Sequence, residues 1–209
     1  MIKAVVFDMD GVLIDAKDWH YDALNRALRL FGLEISLADH LTTFDGLPTR
    51  RKLELLTITE QFPKELHGFV NALKQNYTME IVHALCKPTF VHEYALSALA
   101  RRGLKLAVAS NSVRNSVETM MNKSGLDAYL QLMLSNEDVA RPKPEPDIYT
   151  LAMQRLGVTP DETLIVEDND HGIRAARASG AHVLVVRGVQ DVNLANIDAR
   201  ILEIQERGA

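Results

Sequence analysis

Short apolar runs alternate with stretches of helical periodicity along most of this chain, and that alternation restricts its fold more than any other feature. Ala4-Val5-Val6-Phe7, Leu104 to Ala109, Thr163 to Val166 and His182 to Val186 are dominated by apolar and β-branched residues. Runs of this kind, without polar alternation, suit strands covered on both faces. Between and around them apolar residues recur at spacings of three and four, as in Leu96, Leu99 and Ala100, in Val117, Met120 and Met121, and in Ile148, Leu151-Ala152 and Leu156. Ile173 to Ala178 reads as a further helix, and Gly103, Gly125, Gly157 and Gly180 stand where these helices should stop. Strands alternating with helices predict an α/β fold, a parallel sheet with helices on both faces.

One long segment breaks the rhythm. From Asp15 the pattern is helical, with Trp19, Ala23, Ala27 and Leu30 on one face and Gly32 as its cap. From about residue 36 to 84 the chain is polar and helical. Thr49 reads as an N-cap before Leu53 and Leu55-Leu56. Leu66, Phe69-Val70 and Leu73 suggest a second helix, and Tyr77, Ile81 and Val82 another helical face, before Pro88 marks a break. Leu130 to Leu134 is a short apolar stretch.

Composition narrows the function classes. Among 209 residues, 23 Lys+Arg against 28 Asp+Glu leave a net charge of −5, which argues against a nucleic-acid footprint. No stretch reaches the roughly 18 apolar residues of a membrane span. The apolar run at Ala4–Phe7 is too short for a signal peptide, so no membrane partner is expected. The single cysteine, Cys86, excludes an internal disulfide framework and fits a cytoplasmic location; it reads as a buried small side chain. The histidines show no zinc-ligand spacing.

In parallel sheets of this type, ligands bind beyond the carboxyl ends of the strands. Asp8 and Asp10 follow the first run, Ser110-Asn111-Ser112 the second, and Glu167-Asp168-Asn169-Asp170 a later one; Arg141-Pro142-Lys143-Pro144-Glu145-Pro146 precedes a helix. If these ends converge, the cleft holds several carboxylates, one lysine and hydroxyl donors. Clustered carboxylates repel without a cation, and an all-oxygen donor set suits Mg²⁺. A lysine and a helix N-terminus near Ser110 suit a phosphate. An aspartate beside Mg²⁺ can attack phosphorus. A second aspartate two residues on can protonate the leaving oxygen and then activate water. Taken singly, each residue has a plainer role: a solvated turn for Asp8 and Asp10, a surface lysine at 143, a helix N-cap at Ser110, and a helix-dipole partner in Glu167-Asp168. Asp170 reads equally as a cap or as a supporting group.

Together, Asp8-Met9-Asp10-Gly11-Val12, Ser110, Lys143 within Lys143-Pro144-Glu145-Pro146, and Glu167-Asp168 resemble the four signature motifs of the haloacid dehalogenase superfamily, in order and in spacing. The likeness covers nearly the whole chain and is nearest the branch of β-phosphoglucomutase and small phosphate-ester phosphatases. It implies a Rossmann-like parallel sheet core, residues 1–14 and 85–209, with an inserted helical cap domain, residues 15–84. It also implies a cytoplasmic Mg²⁺-dependent phosphatase acting on a small phosphate ester, of sugar type, through an aspartyl-phosphate. Such an enzyme is expected as a monomer or small homo-oligomer. By position, Asp8 is the nucleophile and Asp10 the acid/base. Asp8, the Asp10 main-chain carbonyl and Asp168 are Mg²⁺ ligands, with Glu167 acting directly or through water. Ser110, the Asn111 amide and Lys143 hold the phosphoryl group. Arg50, within the basic segment Gly46 to Lys52, and His20, near the hinge, are the implied substrate contacts of the cap, although a polar helix residue and a solvated charge run describe them as well.

The departures bear on the reaction. Mutases of this branch carry a cap lysine shortly after an Asn-Tyr pair; here Asn76-Tyr77 is followed by Thr78-Met79-Glu80, which favours a hydrolase over a sugar-phosphate mutase. Pro88-Thr89-Phe90-Val91 replaces a usual Pro-Gly turn, and Asn169 stands where a serine is usual. A phospho-receiver module shares the aspartate, Mg²⁺ and lysine. It has neither an insertion of this length nor any use for Asp10.

Overall fold

The computed structural model describes residues 1–207. The chain forms two compact units, one of Ala16–Cys86 and one joining Met1–Asp15 to the chain from Lys87 onward.

The first of these is helical throughout. Helix α1 (Lys17–Arg29) buries Ala23, Leu24, Ala27 and Leu28. A short α2 (Leu37–Asp39), capped by the Ser36 side chain, runs into a wide π-helical turn at His40–Phe44. Helices α3 (Thr49–Glu60) and α4 (His67–Leu85) complete the unit. Two local expectations are corrected. Pro48, not Thr49, takes the cap position of α3, and Thr49 is the first helical residue. The two helices expected between Leu66 and Val82 are one, because the Lys74-Gln75-Asn76 step holds no glycine or proline to interrupt it. Leu24, Leu28, Phe44, Leu53, Phe62 and Val70 meet in a common core. His40 is buried beside the Tyr21 ring, centroids 4.9 Å apart. Burial, then the Lys52 ammonium, lowers its pKa to about 4, so the ring is neutral. At the turn into α2, the buried Asn25 carboxamide brackets the Ile35 backbone: its Nδ2 donates to the Ile35 carbonyl and its Oδ1 accepts the Ile35 N–H, both at 2.9 Å.

The other unit carries the sheet. Strands β1 (Ala4–Phe7), β2 (Lys105–Ala109), β3 (Leu132–Leu134), β4 (Thr163–Glu167) and β5 (His182–Val185) lie in the order β3-β2-β1-β4-β5, every pairing parallel. β1 is central: Phe7 pairs with Val108 on one side and Val166 on the other. Every residue of β1 and β4 is buried, which is why these runs lack polar alternation. Around the sheet lie α5 (Phe90–Arg101), α6 (Arg114–Lys123), α7 (Asp147–Leu156), α8 (Asp170–Ala178) and α9 (Leu194–Arg207). Val6, Ala107, Ala109 and Ile165 pack with Ile148, Tyr149 and Ala152 of α7 and with Ala175 and Ala176 of α8. The stretch at 130–134 supplies β3, and α9 is a helix that the sequence pattern had not disclosed. Cys86 is a buried free thiol. Among the described residues, no helix is long and apolar enough to cross a membrane.

From β1 the chain winds outward to β2 and β3, then returns to the other side of β1 for β4 and β5. The reversal falls between β1 and β4, and the crevice beyond the carboxyl ends of those two strands is where such sheets place a ligand.

Asn25 provides a test of the helical unit. Asn25→Ala strands two buried peptide groups of Ile35 and should lower stability by about 2–4 kcal/mol, read as a reduced urea midpoint of the intact protein. Ile58→Ser, at a site 77% exposed, should stay within about 0.5 kcal/mol.

Candidate active site

Asp8 is the first residue beyond β1, and its N–H still donates to the Val166 carbonyl of β4 at 3.0 Å. The pairing therefore carries its backbone to the rim of the sheet, where its side chain is buried. A tight turn follows. The Met9 carbonyl accepts the N–H groups of Leu13 and Ile14, each at 2.9 Å, and the Gly11 N–H donates to the Ile14 carbonyl at 2.7 Å. Gly11 adopts φ 85°, a left-handed geometry that side chains resist. The half-buried Asp10 on this turn accepts from the Ser112 hydroxyl, Oδ2 to Oγ at 2.7 Å.

Beyond β2, the Ser110 N–H donates to the Leu134 carbonyl at 3.0 Å, and its buried hydroxyl accepts from the Ser112 N–H at 3.0 Å. Ser110 is not a helix cap, since α6 opens at Arg114 with Val113 in the cap position. The Asn111 carboxamide clamps the Lys143 backbone. The Lys143 N–H donates to its Oδ1 at 3.0 Å, and its Nδ2 donates to the Lys143 carbonyl at 3.2 Å. Asn136 in turn donates to the Asn111 carbonyl at 2.8 Å.

This clamp aims Lys143 at the centre of the crevice. Its ammonium, 2% exposed, donates to Asp8 Oδ1 and to Glu167 Oε1, both at 2.7 Å. The Tyr149 ring lies beneath it, 4.6 Å from Nζ to the centroid, and the Tyr149 hydroxyl donates to Glu167 Oε1 at 2.5 Å. Glu167 Oε2 accepts the Asp168 N–H at 3.0 Å and the Asn169 side-chain amide at 3.3 Å. Asn169 also caps α8, its Oδ1 accepting the Gly172 N–H at 3.0 Å, so Asp170 is an exposed first-turn residue and not the cap. Gly172 faces the Glu167 carboxylate so closely that a Cβ there would fall inside it.

Charge dominates the electrostatics. Burial raises Asp8 well above the usual carboxylate range; Lys143 opposes this, and Glu167, Asp168 and Asp10 add to it. For Lys143, burial favours the neutral amine, but Asp8 and Glu167 prevail and hold it protonated. Burial, then the Glu167 charge, pushes Tyr149 well above its ordinary value, so its hydroxyl is a permanent donor. Oxygens of Asp8, Glu167 and Asp168 lie within 4.8 Å of one another. A crowded, all-carboxylate donor set fits a hard divalent cation such as Mg²⁺.

Asp8, Asp10, Ser110, Asn111, Lys143, Glu167 and Asp168 are thus brought together at the ends of β1, β2 and β4. His20 and Arg50 belong to the helical unit. There His20 Nδ1 lies 3.0 Å from the buried Lys74 ammonium, and the exposed Arg50 pairs with Glu54 at 3.2 Å. Sequence reasoning missed Tyr149, Gly172 and Lys74, and it placed Ser112 among the residues after the second run without giving it a role. Tyr149 sits inside the apolar rhythm of Ile148 and Leu151-Ala152 and reads as core. Gly172 carries a usable signal, a glycine in the first turn of a helix, where its propensity is poor. Lys74 sits among polar neighbours with nothing to mark it as buried.

Comparison with known proteins shows the family and the fold. A relative from Thermotoga maritima named a phosphorylated carbohydrates phosphatase is 28% identical over 179 residues, 86% of this chain and 82% of its own length. A fructose-1-phosphate phosphatase from Escherichia coli is 28% identical over 183 residues, covering 88% and 95%. The crystal structure of β-phosphoglucomutase from Clostridium difficile superposes with a TM-score of 0.85 over 97% of this chain and 98% of that one, at 20% identity, a likeness of fold alone. The haloacid dehalogenase-like hydrolase family matches residues 5–186, and with these motifs at these strand ends the chain belongs to that family and is a hydrolase.

Proposed function

We propose that this hydrolase is a Mg²⁺-dependent phosphomonoesterase for a small phosphorylated metabolite, of sugar-phosphate type, working through an aspartyl-phosphate on Asp8. The observation that carries the reading is the buried Asp8 at the end of β1, held by Lys143 at 2.7 Å with Asp168 close by and Asp10 on the same turn. The names of the relatives point the substrate class toward phosphorylated carbohydrates.

In the proposed mechanism Asp8, the Asp10 main-chain carbonyl and Asp168 would hold the cation, beside Glu167. When bound, Mg²⁺ would offset the mutual repulsion of these carboxylates and draw charge from the phosphoryl oxygens. Lys143 and Ser110, with the Asn111 amide, hold the other phosphoryl oxygens. Asp8 forms a bond to phosphorus as the bond to the sugar oxygen breaks, and Asp10 gives that oxygen its proton. The Asp10 carboxylate then takes a proton from water as the water oxygen attacks phosphorus. Phosphate leaves, and Asp8 is restored. Ser112, bonded to Asp10, keeps the acid oriented between the two halves.

A sugar-phosphate mutase remains a second reading because of one observation. The helical unit contains a cation where Met79 had suggested none: the Lys74 ammonium, buried beside His20. The products decide. Hydrolysis predicts inorganic phosphate from hexose 1-phosphates or similar monoesters, lost on chelation and restored by Mg²⁺. Conversion of a 1-phosphate to a 6-phosphate with little phosphate released would establish the mutase.

Two substitutions test the assignments. Asp8→Asn removes the nucleophile at constant size and should lower turnover by at least about 10³-fold; steady-state phosphate release near the wild-type rate would refute the role. Asp10→Asn should cost about 10²–10⁴-fold on a sugar phosphate and much less on p-nitrophenyl phosphate, whose leaving group needs little protonation. Equal losses on the two substrates would mean that Asp10 is not the acid.

A further inference from the structure

A carboxylate offers about four lone-pair directions to donors. Glu167 accepts at both oxygens twice: Lys143 and Tyr149 meet Oε1 at 2.7 and 2.5 Å, and the Asp168 N–H and Asn169 amide meet Oε2 at 3.0 and 3.3 Å. The group is wholly buried, and Gly172 closes off the space beside it. Swinging Glu167 toward a cation would strip a hydrogen bond from a buried ammonium or phenol, an expensive loss in a dry site. Tyr149 touches both members of the ion pair, its hydroxyl on Glu167 and its ring under Lys143, and Lys143 in turn meets Asp8.

From this geometry we infer that Tyr149 is a positioning residue that fixes Glu167 as the counter-ion of Lys143, and that Glu167 stands outside the coordination sphere of the cation held by Asp8 and Asp168. The inference rests on the phosphatase reading for the cation and the nucleophile. Tyr149 steers the Lys143 ammonium so that it stays on Asp8 Oδ1 while also meeting the phosphoryl group. Glu167 balances the lysine's charge, leaving Asp8 and Asp168 to face the metal.

Two measurements test it. Tyr149→Phe keeps the ring and removes one hydrogen bond to a charged group. The kcat for p-nitrophenyl phosphate should fall about 10-fold, with KM unchanged within about twofold. A merely structural tyrosine would lower the melting temperature and leave kcat alone, and wild-type kcat in this variant overturns the positioning role. Mg²⁺ calorimetry on the substrate-free protein tests the other half. Asp168→Asn should weaken Mg²⁺ at least about 10-fold more than Glu167→Gln does; equal weakening makes Glu167 a ligand and overturns the assignment. If Glu167→Gln fails to fold by circular dichroism, the Glu167→Gln/Lys143→Met pair, which keeps the net buried charge of the triad unchanged, carries the comparison against Lys143→Met alone. The two readings fail separately. A wild-type protein that binds Mg²⁺ but releases no phosphate from any monoester sinks the phosphatase, while the calorimetry still decides Glu167. One that binds no Mg²⁺ overturns the premise of both.

Discussion

The buried ion triad of Asp8, Lys143 and Glu167 is the interaction on which the rest of this crevice depends. An ammonium that is 2% exposed survives only because two carboxylates meet it at 2.7 Å each. Removing one member of such a buried set costs about 3–5 kcal/mol, since the charge left behind has no water to turn to. The arrangement also joins three distant parts of the chain, the end of β1, the loop before α7 and the end of β4. The fold and the chemistry are thereby coupled: the parallel register that seats Asp8 against β4 is the register that lets one lysine serve both carboxylates.

The supporting shell is made of peptide groups and amides. Asn111 clamps the Lys143 backbone with the same two-bond bracket that Asn25 applies to Ile35 in the helical unit. A carboxamide holds donor and acceptor in a fixed plane, so it can satisfy both the N–H and the C=O of one residue where no strand or helix is available. At α8 the cap Asn169 turns its oxygen to Gly172 and its nitrogen to Glu167, so the residue that starts the helix also supports the carboxylate. These contacts replace flexible side chains with short, stiff ones around the reacting group, which is how a site keeps its geometry.

Much of this was legible in the sequence, for definite reasons. Short apolar runs bounded by turn residues read as strands, so β1, β2, β4 and β5 and a parallel sheet follow from pattern and connection rules, whereas the strand order does not, and β5 is only partly buried. Acids placed at the ends of those runs had to converge. What escaped notice depends on tertiary context. Tyr149 has the spacing of a core residue and is one; its hydroxyl gains meaning only because Glu167 ends β4 beneath it. Lys74 reads as a surface lysine, and its burial against His20 follows from the packing of α1 on α4. Pro48 displaced the expected Thr49 cap, and α4 ran through where two helices had been expected. Helix α9 was not foreseen, although Gly188 and Asn193, whose Oδ1 accepts the Asn196 N–H, stand before it.

The central claim is that Asp8 itself carries the phosphoryl group. The most direct measurement is rapid acid quench of the enzyme with Mg²⁺ and a radiolabelled phosphate monoester, followed by counting label in the precipitated protein and locating it in the peptide that contains Asp8. Label that appears within the first turnover, decays as inorganic phosphate is released, and is absent from Asp8→Asn is the predicted result. Release of phosphate at full rate with no label on the protein at any time would contradict the account.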